Sequence, residues 1–578
     1  MVAVEQGQHV TKSLPLSNPS RRVECNGFAS MRFILGLGFI FALVVAVGCK
    51  QNPTEVSSSS EGTAEITEAD APKDASALAD AKPAAQDTVS ESSDSAAELP
   101  PEANVATEEE RNQELGKGWP TPQTVLFISG EQHGYIEPCG CTGLENQKGG
   151  LIRRDTLMTQ LRDKGWDLIP IDAGNQVRRI PRQSVIKFST TAEALKEMGY
   201  EAITFGPDDL KLPSVELLQI AGHEESNPSM FVSANVTIFD ESYSQRFRII
   251  ERGGRKIGVT GILGSKYHNE FKESDELIIE DSVESLLPVI QELQEQKCDY
   301  IVLLSQSQRE EAEEVAKKVA GIDLVIYPGY GEPTMKPQTV DGCDSIFVQT
   351  GVKGMYAGIL GLFDDPENPV RYQRIAISSQ FEDSKRMLER FAAYQMQLKD
   401  EGFDAIGASV SKNTRGQYVG SEACGDCHTT AYEIWENSPH VHATESIVAA
   451  DNDRGGIPRH YDPECVSCHA TGWNTEHHYP YETGFLSPET TPLLVGSGCE
   501  NCHGPGKAHV DAENGDVDVD NETLVKLQQQ MVVTIEEMKT NPKTGCIRCH
   551  DLDNSPDFHP VDKNFDRFWE KVKHYGKD

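Results

Sequence analysis

One five-residue pattern of two thiols and an imidazole occurs four times in the last third of the chain. It reads Cys424-Gly425-Asp426-Cys427-His428, Cys465-Val466-Ser467-Cys468-His469, Cys499-Glu500-Asn501-Cys502-His503 and Cys546-Ile547-Arg548-Cys549-His550. C-x-x-C-H is the attachment pattern of c-type haem. The thiols form thioethers with the porphyrin vinyl groups, and the adjacent imidazole reaches the iron from the same side. Structural zinc pairs its thiolates into four-coordinate sites and needs no His at that offset every time. The repeats therefore predict four covalently bound haems c, with His428, His469, His503 and His550 as proximal ligands.

The sixth ligand of each iron decides the chemistry. Only Met531 and Met538 lie in this stretch, whereas His440, His442, His460, His477, His478, His509, His559 and His574 are spare. Bis-His ligation is the economical expectation, and it favours low-potential electron transfer.

A second reactive stretch is Ile136-Glu137-Pro138-Cys139-Gly140-Cys141-Thr142-Gly143. Cys139 and Cys141 on such a loop can bind a soft metal or cycle between dithiol and disulfide. Glu131 and His133 are available as further ligands. The alternative is a structural disulfide, to Cys298 or Cys343. The nearby Arg153-Arg154 pair either holds an anion at a helix start or is solvated.

Both ends of the sequence point to one address. An apolar run at 33–47 follows Met31-Arg32 and ends in Ala46-Val47-Gly48-Cys49. Its length suits a signal peptide better than a membrane span, and its end resembles a bacterial lipobox with Cys49 as the lipidated thiol. An ordinary secreted protein and a retained N-terminal anchor are the alternatives. Residues 1–30 look like neither leader nor domain, so Met31 is a candidate start. Haem attachment to this pattern in bacteria takes place outside the cytoplasm. The expected location is the periplasm or cell envelope, with the lipidated N-terminus tethering the chain to the membrane.

The net charge of -38 excludes the basic footprint of a nucleic-acid binder. It suits solubility and steering towards basic partners, and the partners expected are redox proteins. Residues 50–118 are Ser, Ala, Glu, Asp and Pro with scarcely an aromatic, which predicts a disordered acidic linker after a leader at 1–49.

The elements that must position these groups differ between the two halves. Apolar runs at 125–129, 167–171, 202–205, 231–234, 256–260, 300–304, 324–327 and 346–349 predict strands. Amphipathic stretches at 151–161, 192–198, 283–294 and 310–319 lie between several of them, and 247–262 reads as a hairpin. This alternation predicts a layered α/β domain over 122–365. A connecting helix is expected at 379–402, then a mainly α or irregular tetrahaem domain at 417–578. With one haem per roughly 40 residues, the core of that last part must be largely porphyrin.

Specific strings add a family likeness. Residues 417–576 resemble the multihaem cytochromes of the c-554 and c-prime type. The likeness rests on Tyr418 to His428, Trp435 with Ser438-Pro439-His440, Asp462-Pro463-Glu464-Cys465, Gly498 to His509, and Ser555 to Phe558 with Trp569 and His574. It implies His440, His509 and His574 as distal ligands, some serving haems distant in sequence. His442 competes with His440, and the remaining haem takes His460 or stays five-coordinate.

Residues 122–365 resemble the calcineurin-like metallophosphoesterases, including periplasmic nucleotidases. That likeness implies a di-metal site on five loops, where the metals activate water. The loops here read Glu131-Gln132-His133-Gly134, Asp172-Ala173-Gly174-Asn175, Gly206-Pro207-Asp208-Asp209, Ser305-Gln306 and Pro328-Gly329-Tyr330-Gly331. Only His133 is unchanged from the family pattern, with Glu131 in place of Asp, and Asn175 is a poor bridge between metals. The expectation is an electron-carrying cytochrome joined to an inactive phosphoesterase-like domain. The alternatives are a haem oxidoreductase acting on a small nitrogen or sulfur compound, and a metal-dependent phosphoesterase or 5'-nucleotidase.

Overall fold

Strands that are apolar on both faces demand cover on both faces, and the α/β part supplies it with two stacked sheets and outer helices. The computed structural model describes residues 112, 114–138, 147–178, 181–224, 226, 228–329, 333–448, 456–552 and 554–576, all within one compact unit spanning 99–578. The leader, Cys49, Cys139, Cys141 and all but the end of the acidic linker lie outside the described residues.

The strands are β1 Thr124–Ser129, β2 Leu168–Asp172, β3 Ala202–Ile203, β4 Val236–Ile238, β5 Phe247–Arg252, β6 Arg255–Leu263, β7 Leu277–Ile279, β8 Tyr300–Gln306, β9 Leu324–Pro328, β10 Gln338–Thr339, β11 Ile346–Thr350, β12 Tyr356–Leu362 and β13 Val370–Ala376. One sheet has the order β13-β12-β1-β2-β3 and the other β10-β11-β9-β8-β6-β5, while β4 and β7 form a small pair. Strand β1 runs parallel to β2 and antiparallel to β12. Leu126, Ile128, Ile169 and Ile171 of the first sheet face Val259, Val302, Leu304 and Ile326 of the second.

The helices α1 Leu151–Asp163, α2 Pro181–Glu197 and, later in the chain, α5 Lys385–Ala405 pack on the first sheet, joined by the short helix Ser214–Ala221. Two cover the second: α3 Ser282–Glu295 and α4 Arg309–Lys318. Asp281 caps α3 by accepting the Val283 and Glu284 N–H groups at 2.9 and 3.0 Å. Helix α4 begins with Glu310-Glu311 and ends with Lys317-Lys318, each pair matching the helix dipole.

Several expectations shift. The run 231–234 is not a strand; Phe231 makes a single bridge to Ile203, and the strand forms later, as β4. The helix expected at 192–198 begins at Pro181, a residue suited to a first turn. The first sheet continues past 365 to β13. The 247–262 hairpin is integral: β5 is an edge strand, and β6 pairs parallel with β8 inside the second sheet.

The C-terminal part is built from short helices, including Ser421–Gly425, Pro463–His469, Cys499–His503 and Lys507–Asn514. Its apolar clusters are small. One joins Ala408, Ile447, Val466, Ala470, Trp473, Phe485 and Leu494, and another joins Met538, Phe558 and Phe565. Among the described residues no helix is long and apolar enough to cross a membrane.

Candidate functional site

The second and third Cys-x-x-Cys-His lie on short helices, and the first and fourth turn tightly enough to bring the His back to the first Cys. The backbone N–H of His428 donates to the Cys424 carbonyl at 2.9 Å, and His550 does the same to Cys546. All four imidazoles turn Nδ1 to an oxygen. His428 faces the Gly576 carbonyl at 3.3 Å, His469 that of Ala443 at 2.7 Å and His503 that of Met531 at 2.6 Å, while His550 meets the Ser555 hydroxyl at 3.0 Å. Holding Nδ1 in this way leaves Nε2 as the coordinating nitrogen and fixes the ring plane.

Two of these imidazoles face another imidazole from far away in sequence. The ring centres of His440 and His550 are 6.2 Å apart, and those of His503 and His574 are 5.8 Å apart. A metal bonded to one nitrogen of each ring at about 2 Å separates the ring centres by about 6 Å. The residues therefore fit a group with an iron between each pair. Burial, followed by His440 and His559, pushes the His550 imidazole down to about 4, so it is in the neutral form that ligates.

The other spare histidines are placed differently. His442 is exposed and pairs with Glu445 at 2.9 Å. His559 turns Nε2 to the His550 carbonyl, and His478 turns Nδ1 to Ser467. His460 packs on Tyr461, with ring centres 3.9 Å apart. His509 lies on the helix Lys507–Asn514, whose first N–H donates to the Gln417 carbonyl just upstream of the first motif. Met538 is buried against Phe558, and Met531 contributes its carbonyl to His503.

The motifs touch one another out of sequence order. The Cys424 side chain lies near Cys499, and Cys468 near Cys549. Cys502 lies within electrostatic reach of Cys546 and Cys549. Glu500 fastens the first motif to the third: its carboxylate accepts the N–H groups of Val419 at 3.1 Å, Gly420 at 2.8 Å and Gly506 at 2.7 Å.

In the α/β part, four of the five loops of the phosphoesterase pattern meet at the strand ends, and their side chains satisfy one another. Gln306 Nε2 donates to Glu131 Oε1 at 2.7 Å. Asn175 Nδ2 donates to Glu131 Oε2 at 3.1 Å, and His133 Nε2 lies 2.8 Å from the same oxygen. Asn175 Oδ1 accepts the Asp208 N–H at 3.1 Å, which orients the amide so that its nitrogen faces Glu131. Amide N–H groups thus stand where a cation would neutralise the carboxylate.

Asp209 accepts four backbone N–H groups, from Asn175, Gln176, Val177 and Gly206; burial pushes its carboxyl up to about 8 against their pull. Glu131, His133 and Asn175 all keep left-handed φ values, 51°, 52° and 62°. Such backbone strain gathers at functional sites. Among the described residues no three His, Cys, Asp or Glu side chains come together as a metal site.

The arginine pair is neither solvated nor open to an anion. Arg154 is fully buried, donating to Ser129 and Tyr200 with Asp172 at 3.7 Å, and Arg153 pairs with Asp383 at 3.1 Å. Cys298 and Cys343 are free.

Fold and motifs together describe a layered α/β part followed by a segment of four Cys-x-x-Cys-His motifs, and each part is similar to known proteins. Residues 423–504 match the family described as cytochrome c554 and c-prime. Cytochrome c-554 of Nitrosomonas europaea is 30% identical over 117 residues, covering 18% of this chain and 47% of that protein. Snake venom 5'-nucleotidase of Crotalus adamanteus is 23% identical over 320 residues, covering 50% of this chain and 54% of that protein. A solved 5'-nucleotidase precursor from Thermus thermophilus aligns with a TM-score of 0.42 at 17% identity, over 56% of this chain and 66% of its own. The chain spans about half the length of the curated relatives it matches.

Proposed function

We propose that residues 417–578 carry four covalent haems c and relay electrons, and that the α/β part, 122–365, has lost phosphoesterase activity and serves in docking or sensing. The observation that carries this reading is the pair of facing imidazoles, His440 with His550 and His503 with His574, at bis-His spacing. The bound group supplies one-electron chemistry. The chain's own residues anchor it through the eight thiols and orient each proximal ring through Nδ1.

In this reading His440 ligates at the fourth motif and His574 at the third. His509 ligates at the first, on the support of its helix start at Gln417. His442, exposed and paired with Glu445, is the alternative to His440, and His460 is the candidate at the remaining, second motif. Contacts between the motifs support a route in the order first, third, fourth, second. Loss of hydrolysis is supported by the saturation of Glu131 with amide donors. The chain acts outside the cytoplasm, tethered through Cys49, and exchanges electrons with redox proteins there; an additional metal at Cys139 and Cys141 belongs to the same proposal.

Low-temperature EPR of the oxidised, fully matured protein tests the reading. Four low-spin ferric signals are expected. A substantial high-spin signal that moves with nitric oxide would replace the relay with an oxidoreductase acting on a small nitrogen or sulfur compound. A manganese-supplemented phosphate-ester assay is expected to give no turnover that depends on His133.

A further inference from the structure

The run that leads into the second Cys-x-x-Cys-His is held by side chains of the α/β part. Ile457 sits in the core formed with α2 and α5. Arg459 is buried, forms a two-pronged pair with Glu137 that includes Nη2 to Oε2 at 2.8 Å, and lies 5.4 Å from the centre of the Phe391 ring. Asp462 caps the motif helix Pro463–His469, accepting the Glu464 N–H at 3.0 Å. The same carboxylate accepts from Gln183 on α2 at 2.7 Å and from the Tyr394 hydroxyl on α5 at 3.1 Å.

One turn further along α2, Lys187 Nζ meets Glu464 Oε2 at 2.7 Å. The Lys187 side chain is only 6% exposed. Its stem packs on Gly134, where a Cβ would come within 3.1 Å of Lys187 Cδ, one residue from His133 of the former metal loops. Burial alone would lower the Lys187 ammonium, but Glu464 and Asp462 outweigh it and hold the group above the usual lysine range. It is therefore a positive charge in a buried junction, paired with the residue next to Cys465. A buried ion pair of this kind adds little net stability over an apolar replacement, so stability alone does not account for it. A cation in low dielectric beside a redox centre favours the reduced state, which carries one positive charge fewer.

We propose that Lys187 is a positioning residue for the second haem attachment. Acting through Glu464, it fixes the start of the motif helix and raises the reduction potential of the centre held by Cys465, Cys468 and His469. The α/β part thus takes part in electron transfer by setting one of four potentials, with the rim of its former metal cleft as the contact. This rests on the haem reading of the motif proposed above.

The test uses full-length, matured protein carrying Lys187→Met, Lys187→Arg or Glu464→Gln, titrated by optical spectroelectrochemistry with EPR assignment. Peptide mass mapping of Cys465 and Cys468 accompanies each sample. Lys187→Met is expected to lower one midpoint of four and leave three in place. Lys187→Arg should leave all four unchanged, and Glu464→Gln should raise the same single midpoint. Four unchanged midpoints in Lys187→Met, or a uniform shift of all four, overturns the proposal. If Lys187→Met does not accumulate as folded protein, Glu464→Gln decides, and an unmoved midpoint there overturns it. Wild-type peptide without haem at Cys465 and Cys468 overturns the haem reading of that motif and this proposal together; haem present without a selective shift overturns this proposal alone.

Discussion

Exchanging one oxygen for a nitrogen changes what the side chain at position 175 can do beside Glu131. An amide donates where a carboxylate would repel, so Asn175→Asp sets two buried carboxylates together. The variant is expected to lose about 3 kcal/mol in urea unfolding and to recover part of it with added manganese. The parent protein should show an unchanged α/β melting transition in a chelator. Asp155 gives a pH-dependent case. Burial would push its carboxyl up, but hydrogen bonds from Arg386 and Ser384 outweigh this and hold it below the ordinary Asp value. A folded value below the unfolded one means that this stability is present above the unfolded pKa and is lost as pH falls through the folded one. Asp155→Asn should therefore cost about 2 kcal/mol at neutral pH, a gap that closes below about pH 4 in denaturant titrations at stepped pH. The Cys-x-x-Cys-His repeats were legible in the sequence because the whole pattern lies within about one turn of chain. The departures from the phosphoesterase pattern at 175 and 306 were legible, yet their mutual service to Glu131 depends on loops that meet only in the fold. His440 and His442 could not be separated by spacing, since the partner of one lies 110 residues on, at His550. Lys187 gave no signal at all, lying outside the helix expected at 192–198 and gaining its partner Glu464 only in the fold.

Elements with a single strong period were read correctly, and those made by context were not. Strands β1, β8 and β9 are continuous apolar runs, visible without knowing their neighbours. Strands β12 and β13 were missed because Gly358, Gly361, Arg371 and Arg374 break the apolar pattern; Arg374 instead stacks on Tyr356, 4.8 Å from the ring centre. The helix expected at 379–402 runs Lys385–Ala405 and is more than a connector, since Met387, Phe391, Tyr394 and Leu398 complete the cover of the first sheet. Helix α3 offers a check at this scale. Asp281→Ala leaves the Val283 and Glu284 N–H groups to water and is expected to cost about 1 kcal/mol, read as a lower thermal midpoint with an unchanged haem spectrum.

For the whole molecule, the two parts differ in what makes their cores. The α/β part packs three apolar clusters of its own, whereas the C-terminal part has only small ones around its thiols and imidazoles. Protein made with all eight motif cysteines changed to Ala is expected to lose 417–576 to limited proteolysis while 147–405 resists; equal resistance of both would count against a porphyrin-filled core. The pairing of β1 with β12 also has a consequence in time. Strand β1 lies inside its sheet, yet its neighbour on one side is β12, about 230 residues later. At the usual speed of synthesis that interval is on the order of tens of seconds. Until it has passed, one edge of β1 has no partner strand, and an unpaired strand edge invites other chains. The first strand of this domain waits for one of its last.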